Sequence, residues 1–345
     1  MTKNQIPYTP NNLTKSYYRS RNFRARFNSD IIKLGPRIEV ASKKLLSGSY
    51  KFDTLSRSTR NGKIFYKIQN PIDDIILMHT FINIKRAFNV KYPDRHRSTR
   101  QMLVLLEEDT PFHFIKADVK HFYETIDAGE VLKKVRASTN LSPTSKLVVD
   151  LLFKKTSLSK CNHLPRGLGI SSILSEIYMM DFDASIRENR DFFFYSRYVD
   201  DIVCFSSKLD ESGLRYISAQ LADLKLSPNR DKQVSEIRSC LKKPTCERKC
   251  KCPEERVTVN HLGYSFEFSK RPRSSISTYV DLSSSKIKRH KSRLVRSILD
   301  YNRTGDFYLL RDRLRFLTAN YWIRSQTENS NLRSGFFFNY PLLSE

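Results

Sequence analysis

Two adjacent aspartates, Asp200 and Asp201, interrupt an apolar run, and that placement limits what the chain can fold into. Phe192, Phe193 and Phe194 precede them, and Ile202, Val203 and Phe205 follow. Apolar ends with acids between them predict a β-hairpin over 192–206 with both carboxylates at the bend. Two like charges beside buried strands repel one another, so a cation must neutralise them. Upstream, Phe112, Phe114 and Ala117 alternate with His113 and Lys116 in a strand that ends at Asp118, a candidate third carboxylate. Three acids on one sheet edge make a hard-oxygen site suited to Mg²⁺. An Asp-Asp pair alone is more often an ordinary solvated turn, so the neighbouring segments decide.

Helical spacing follows each strand. His121 to Ile126 starts a helix, 130–155 reads as helix with a turn from Leu141 to Thr144, and Ser171 to Glu188 presents Leu174, Ile177, Tyr178 and Phe182 on one face. Leu214, Ile217, Leu221 and Leu224 mark another helix, and Val257 to Phe268 alternates as a strand pair. Taken with that pair as its end, the order β–α–β–β–α–β is ferredoxin-like. Residues 61–110 are helical in rhythm, with Ile75, Ile76, Phe81, Ile82 and Ile84, until Pro93 breaks them. Within residues 1–60, Tyr17, Tyr18, Phe23 and Phe27 interleave with Arg19, Arg21, Arg24 and Arg26. That pattern suits a single strand of nucleic acid or, equally, an amphipathic helix with a solvated basic face. Residues 285–315 form a basic helical stretch.

Charge selects the partner class. Lys and Arg number 61 against 36 Asp and Glu, a formal +25 with a pI near 9.8, which points to a polyanion such as nucleic acid. The 22 Phe and 17 Tyr exclude a disordered basic tail. No Gly-x-x-x-x-Gly-Lys loop exists, and the lone Gly167-Leu168-Gly169 leads to Ser172, so Walker and dinucleotide sites are excluded. No apolar run reaches the roughly 18 residues of a membrane helix, so no membrane partner is expected. With no apolar leader and only 6 cysteines, a cytoplasmic location is expected. Cys240, Cys246, Cys250 and Cys252, with His261 beyond them, are enough ligands for zinc. Their spacing is unlike known structural sites, which favours a basic, reduced hairpin over RNA or a partner chain.

With these segments in view, the chain resembles the reverse transcriptases. Tyr198-Val199-Asp200-Asp201 matches the signature tetrad of their palm hairpin, and Ile115 to Tyr123 is similar to their first palm motif. Leu164 to Ser172 is similar to the segment that supports template and incoming nucleotide. Asn229 to Lys232 stands where the family carries a catalytic lysine, and His261-Leu262-Gly263-Tyr264 resembles the primer-grip turn. All five occur in family order. The resemblance implies an α+β, right-hand polymerase with a ferredoxin-like palm, helical fingers and a helical thumb. Residues 1–110 would be a basic segment and fingers, 111–268 the palm, and 269–345 the thumb. Finger helices (about 128–163) and a Cys-rich insertion (240–256) would interrupt the palm.

The roles it implies are specific. Asp118, Asp200 and Asp201, with the carbonyl of Val119, would hold two Mg²⁺ ions for in-line nucleotidyl transfer. Lys232 would act as general acid to pyrophosphate, or else be a solvated lysine after a helix. Tyr123, five positions after Asp118, would exclude a 2′-hydroxyl. Arg166, Gly167, Lys63 and Lys67 would line the nucleotide site, Leu262, Gly263 and Tyr264 the primer grip. Arg289, Lys291, Arg293 and Arg296 would bind nucleic-acid backbone. Partners are then an RNA template, DNA product and dNTPs, with a second reverse transcriptase or a homo-oligomer as further candidates.

The chain departs from the family at Arg166, where Gln is usual, and at Ser171-Ser172, where Ser-Pro is frequent. Arg166 is expected to set a fixed charge beside nucleotide or template. Residues past 264 leave room for a thumb but not for RNase H, integrase or endonuclease domains. Among the branches of the family the chain is most similar to the bacterial defence-associated, abortive-infection group. Within that group, the segments 164–180 and 334–341 point to the smaller enzyme of an antiviral system of two reverse transcriptases and a non-coding RNA. Two rivals stand beside RNA-templated synthesis: an untemplated or protein-primed deoxynucleotidyl transferase, and a non-catalytic nucleic-acid-binding scaffold.

Overall fold

The computed structural model describes residues 5–19, 31–239, 255–271, 277–324 and 331–344. The candidate zinc ligands Cys240, Cys246, Cys250 and Cys252 lie outside the described residues, as do Arg21, Phe23, Arg24, Arg26 and Phe27. In chain order the elements begin with α1 (Pro10–Arg19), α2 (Ile31–Leu46), β1 (Ser56–Arg60), β2 (Lys63–Lys67), α3 (Pro71–Ala87), α4 (Arg95–Glu107) and β3 (Phe112–Asp118). There follow α5 (Ala128–Ala137), α6 (Pro143–Lys155), α7 (Gly169–Glu188), β4 (Phe192–Tyr198), β5 (Asp201–Ser206), α8 (Ser212–Asp223) and β6 (Val234–Arg238). The last are β7 (Arg256–His261), β8 (Tyr264–Ser269), β9 (Tyr279–Leu282), α9 (Ser284–Thr304), α10 (Phe307–Thr318), β10 (Tyr321–Arg324) and β11 (Asn331–Ser334). The chain divides into two compact units: Met1–Tyr92, Asp118–Arg190 and Arg215–Asp231 form the first, and Pro93–Ala117, Asp191–Leu214 and Lys232–Glu345 the second.

The first unit is mainly helical. α3 begins where Asn70 caps the Ile72 amide (2.9 Å) and Pro71 pre-sets the first turn. Acids in its first turn and Lys85 and Arg86 in its last complement the helix dipole. It buries Ile72, Ile75, Ile76 and Ile84, while α1 buries Leu13 and Tyr17. The Tyr8 hydroxyl joins Thr80 of α3 (2.6 Å) to Ser145 of α6 (3.0 Å). Residues 56–67, read from sequence only as basic chain running into helix, form the β1–β2 hairpin instead. Its turn is Asn61-Gly62, both left-handed (φ +48° and +72°), as a two-residue hairpin turn demands.

Among the described residues the second unit holds three sheets, one of them the two-stranded β10-β11 pair. The first has the order β4-β5-β3-β6, the ferredoxin-like arrangement. Its last strand is β6, antiparallel to β3, and not the 257–268 pair expected from sequence. β6 reads Val-Ser-Glu-Ile-Arg, a short half-buried strand with too little apolar alternation to announce itself. Residues 257–268 pair with β9 in a separate sheet, β7-β8-β9. Phe112 and Phe114 of β3, Phe205 of β5 and Phe266 and Phe268 of β8 share one buried core with Met102 and Leu106 of α4. The basic stretch 285–315 is two helices, α9 and α10, separated at Gly305 (φ +69°). Among the described residues no helix is long and apolar enough to cross a membrane.

Candidate active site

The β4–β5 turn places the paired acids. Tyr198 pairs with Asp201, so Val199 and Asp200 alone make the bend. Val199 is left-handed (φ +61°), and Arg197 Nη1 donates to its carbonyl oxygen at 2.9 Å. Ile202, Val203, Cys204 and Phe205 behind the acids are fully buried, while Asp200 and Asp201 are half-buried. Lys116 of β3 sets its Nζ 3.8 Å from Asp201 Oδ1, a cation beside one member of the acid pair. Asp118 ends β3, the neighbour of β5 in sheet order, and is buried. Asn229 Nδ2 donates to its carboxylate at 3.1 Å, and the Asn229 amide to its carbonyl at 2.6 Å. Val119 is buried and bridges Pro228. Lys232 is exposed on a single 3₁₀ turn, Arg230–Lys232. Among the described residues no group of three or more His, Cys, Asp and Glu side chains is gathered as a metal site.

Within the first unit, the candidate nucleotide residues come together. Tyr123 lies on the single-turn helix Phe122–Thr125, entered through a left-handed His121 (φ +52°). The Arg166 guanidinium sits 5.1 Å from the Tyr123 ring centre and grips Glu124 bidentately, through Nε to Oε1 and Nη2 to Oε2. Burial pushes the Glu124 carboxyl up, but the Arg166 hydrogen bond and charge, with the charge of Lys63, hold it below the usual range. Arg166 is therefore not the bare cation its sequence position suggested: a carboxylate balances it. Its carbonyl accepts from the Tyr66 amide of β2 at 2.8 Å. Gly167 (φ +92°) packs so closely that a Cβ would lie 2.4 Å from the Tyr66 carbonyl oxygen. Lys63 opens β2 and shares this electrostatic cluster, whereas Lys67 is exposed at the strand's far end.

In the second unit, Leu262 (φ +47°) and Gly263 (φ +91°) form the β7–β8 turn, and Tyr264 is fully buried. Arg95 of α4 holds the Leu262 carbonyl. Arg289, Lys291, Arg293 and Arg296 are all exposed on α9. Arg293 and Arg296 line a cavity of about 560 Å³ with Arg313 and Phe316 of α10. Sequence reasoning missed Glu124, Arg95, Arg197 and the place of Lys116 beside Asp201. Only Glu124 and Arg197 carried a local signal, as charged neighbours of named motif residues.

The sheet order and the alternation of strands with helices are consistent with the palm of a right-hand polymerase fold. The sequence pattern of the family described as "Reverse transcriptase (RNA-dependent DNA polymerase)" matches residues 67–266, more than half of the chain. The chain belongs to that family. Among solved structures it is similar to apo telomerase from Candida tropicalis truncated from its C-terminal domain. There the identity is 10% and the TM-score 0.41, over 68% of this chain and 55% of that one. Telomerase from Candida albicans in complex with a fragment of telomeric RNA gives 10% identity and a TM-score of 0.42, over 80% and 56%. The chain thus spans about half the length of these telomerase chains. No curated protein matches it.

Proposed function

We propose that this chain extends a primer 3′-hydroxyl with dNTPs on an RNA template, and that it does so in antiphage defence. The observation that carries the catalytic part is the palm turn: paired carboxylates on a two-residue bend, backed by buried strand, in a ferredoxin-like sheet. Asp118, Asp200, Asp201 and the Val119 carbonyl are hard oxygen donors, a set that fits Mg²⁺. Bound there, two such ions would supply charge neutralisation and a more acidic primer hydroxyl. Around them Tyr123 would close the space below the sugar, Lys63 and Lys67 would hold the triphosphate, and Arg166, paired with Glu124, would stand beside nucleotide or template. Lys232 would give its proton to the leaving pyrophosphate. The fingers, palm and thumb would fall at 1–110, 111–268 and 269–345. α9 would carry the duplex backbone on Arg289, Lys291, Arg293 and Arg296. The defence role, with a non-coding RNA as template and a second reverse transcriptase as partner, is supported by the sequence resemblance of 164–180 and 334–341. A cytoplasmic setting is proposed from the low cysteine content of the chain.

The test is labelled dNTP incorporation on primed RNA. Asp118→Asn and Asp200→Asn are expected to lose activity by more than the roughly 100-fold that loss of outer-shell support costs at a metal site. Both should fold normally, since repulsion is relieved. Near-wild-type incorporation by either variant would overturn the assignment.

A further inference from the structure

The β7–β8 turn holds a conformation that its own residues do not support. Leu262 is left-handed at φ +47°, where an L side chain crowds the following carbonyl. The support comes from elsewhere in the second unit. Arg95, the first residue of α4, donates Nε and Nη2 to the Leu262 carbonyl oxygen at 3.1 and 2.8 Å. Its guanidinium is itself placed by two rings, 4.9 Å from the centre of Tyr340 and 5.6 Å from that of Tyr264. Those rings meet edge to face at 5.3 Å.

Tyr340 belongs to segment 335–344, which is fastened in turn. The Val280 amide of β9 donates to Ser344 Oγ at 2.9 Å, and the Ser344 amide donates to the Val280 carbonyl at 2.8 Å. Gly263 is left-handed (φ +91°), which strains any side chain there, and a Cβ would lie 2.8 Å from the movable Lys286 Cε and 3.3 Å from Tyr340 Cε1. Burial, partly offset by the Arg95 charge, raises the Tyr264 hydroxyl above its usual range.

We propose that Arg95, seated on Tyr340, is a positioning residue that fixes the Leu262–Gly263 turn against the 3′ end of the growing strand. This rests on the reading of His261–Tyr264 as a primer grip. Two charge-assisted bonds to one carbonyl set the turn's place and its orientation together. Any other turn conformer leaves a partly buried guanidinium without its acceptor, which is costly. Lysine keeps the charge but offers no planar fork and stacks poorly on rings. A loosened turn lets the primer terminus depart between additions, so primer affinity and product length fall together. Nucleotide binding, set by Tyr123, Arg166 and Lys63 in the first unit, is untouched.

The experiment uses the full chain with Arg95→Met, Arg95→Lys, Tyr340→Leu and Gly263→Ala. Val135→Ala, at a buried position of α5 in the first unit, is the control for lost stability. Primer–template dissociation constant, product length per binding event under a trap, dNTP KM at saturating primer, and Tm are measured. Arg95→Met and Tyr340→Leu are expected to weaken primer binding about tenfold or more and shorten products, with dNTP KM within about twofold. Arg95→Lys should fall between them and wild type, and it carries the test if Arg95→Met does not fold. If Arg95→Met or Arg95→Lys loses no more primer affinity than Val135→Ala at matched Tm loss, the role is merely structural and the proposal fails. If Gly263→Ala weakens the primer and the Arg95 variants do not, the proposal fails while the primer-grip reading stands. If Gly263→Ala leaves primer binding unchanged, the primer-grip reading fails and the proposal with it.

Discussion

At the β4–β5 turn Val199 takes φ +61°, and at the β7–β8 turn Leu262 takes φ +47°. Each is a bulky residue held left-handed, at about 1–2 kcal/mol. Each has its carbonyl bound by an arginine, Arg197 at 2.9 Å in one case and Arg95 at 2.8 and 3.1 Å in the other. The source differs. Arg197 stands two residues before Val199 on the same strand, whereas Arg95 comes from a helix 167 residues earlier in the chain. A local grip makes the palm turn a nearly self-contained hairpin. A distant grip ties the other turn to α4 and to segment 335–344, so its position depends on the packing of the second unit.

The largest effect that would sharpen this comparison is a double dissociation. Arg197→Lys is expected to lower kcat about tenfold, because the turn carrying Asp200 and Asp201 loses its set orientation, while primer affinity stays within about twofold. Arg95→Met should do the reverse, and Arg95→Lys should do so to a smaller degree. Steady-state kinetics with primer titrations reads both, and a common loss in any variant would dissolve the distinction.

A smaller effect separates the turns by pH. His261 ends β7 beside the distant-grip turn, and burial, then the charges of Lys116 and Arg95, push its pKa down to about 3. The unfolded chain binds that proton near 6.5, so the unfolded state holds more protons between the two values. Stability from neutral His261 is complete above about 6.5 and is lost as pH falls toward 3, about 2 kcal/mol by pH 5. Asp73 in the first unit works in the opposite direction. Burial chiefly raises it to about 6, so its contribution is complete below its unfolded value of 3.8 and is lost as pH rises through 6. Urea unfolding at pH 7 and pH 5 should therefore show a smaller acid loss in His261→Asn than in wild type. Equal slopes would mean that His261 is not held neutral by its surroundings.

What the sequence made legible follows the same division between local and distant. The acid pair and the strand ending at Asp118 are readable because composition and alternation express them within a few residues, and the Leu262-Gly263 turn through the family resemblance of its motif. Asn61-Gly62 was an equally local hairpin signal, but the polar strand Ser56–Arg60 beside it offered no apolar alternation to make it stand out. β6 escaped for the same reason, and its role passed wrongly to 257–268. Arg95 could not be found from sequence at all. Nothing near it marks a bond to Leu262, and only folding brings the two together. Arg166 illustrates a third case: the sequence singles out its position, but its charge is balanced by Glu124, which sequence reasoning passed over although it adjoins Tyr123.

The central claim is that this chain copies RNA into DNA, and sequencing the product tests it most directly. Wild-type protein is given one primer, all four dNTPs, Mg²⁺ and, in parallel, two RNAs of different defined sequence. The account predicts two different DNAs, each complementary to its own RNA, and no extension without RNA. The same DNA from both RNAs, or from none, would contradict it and favour untemplated transfer.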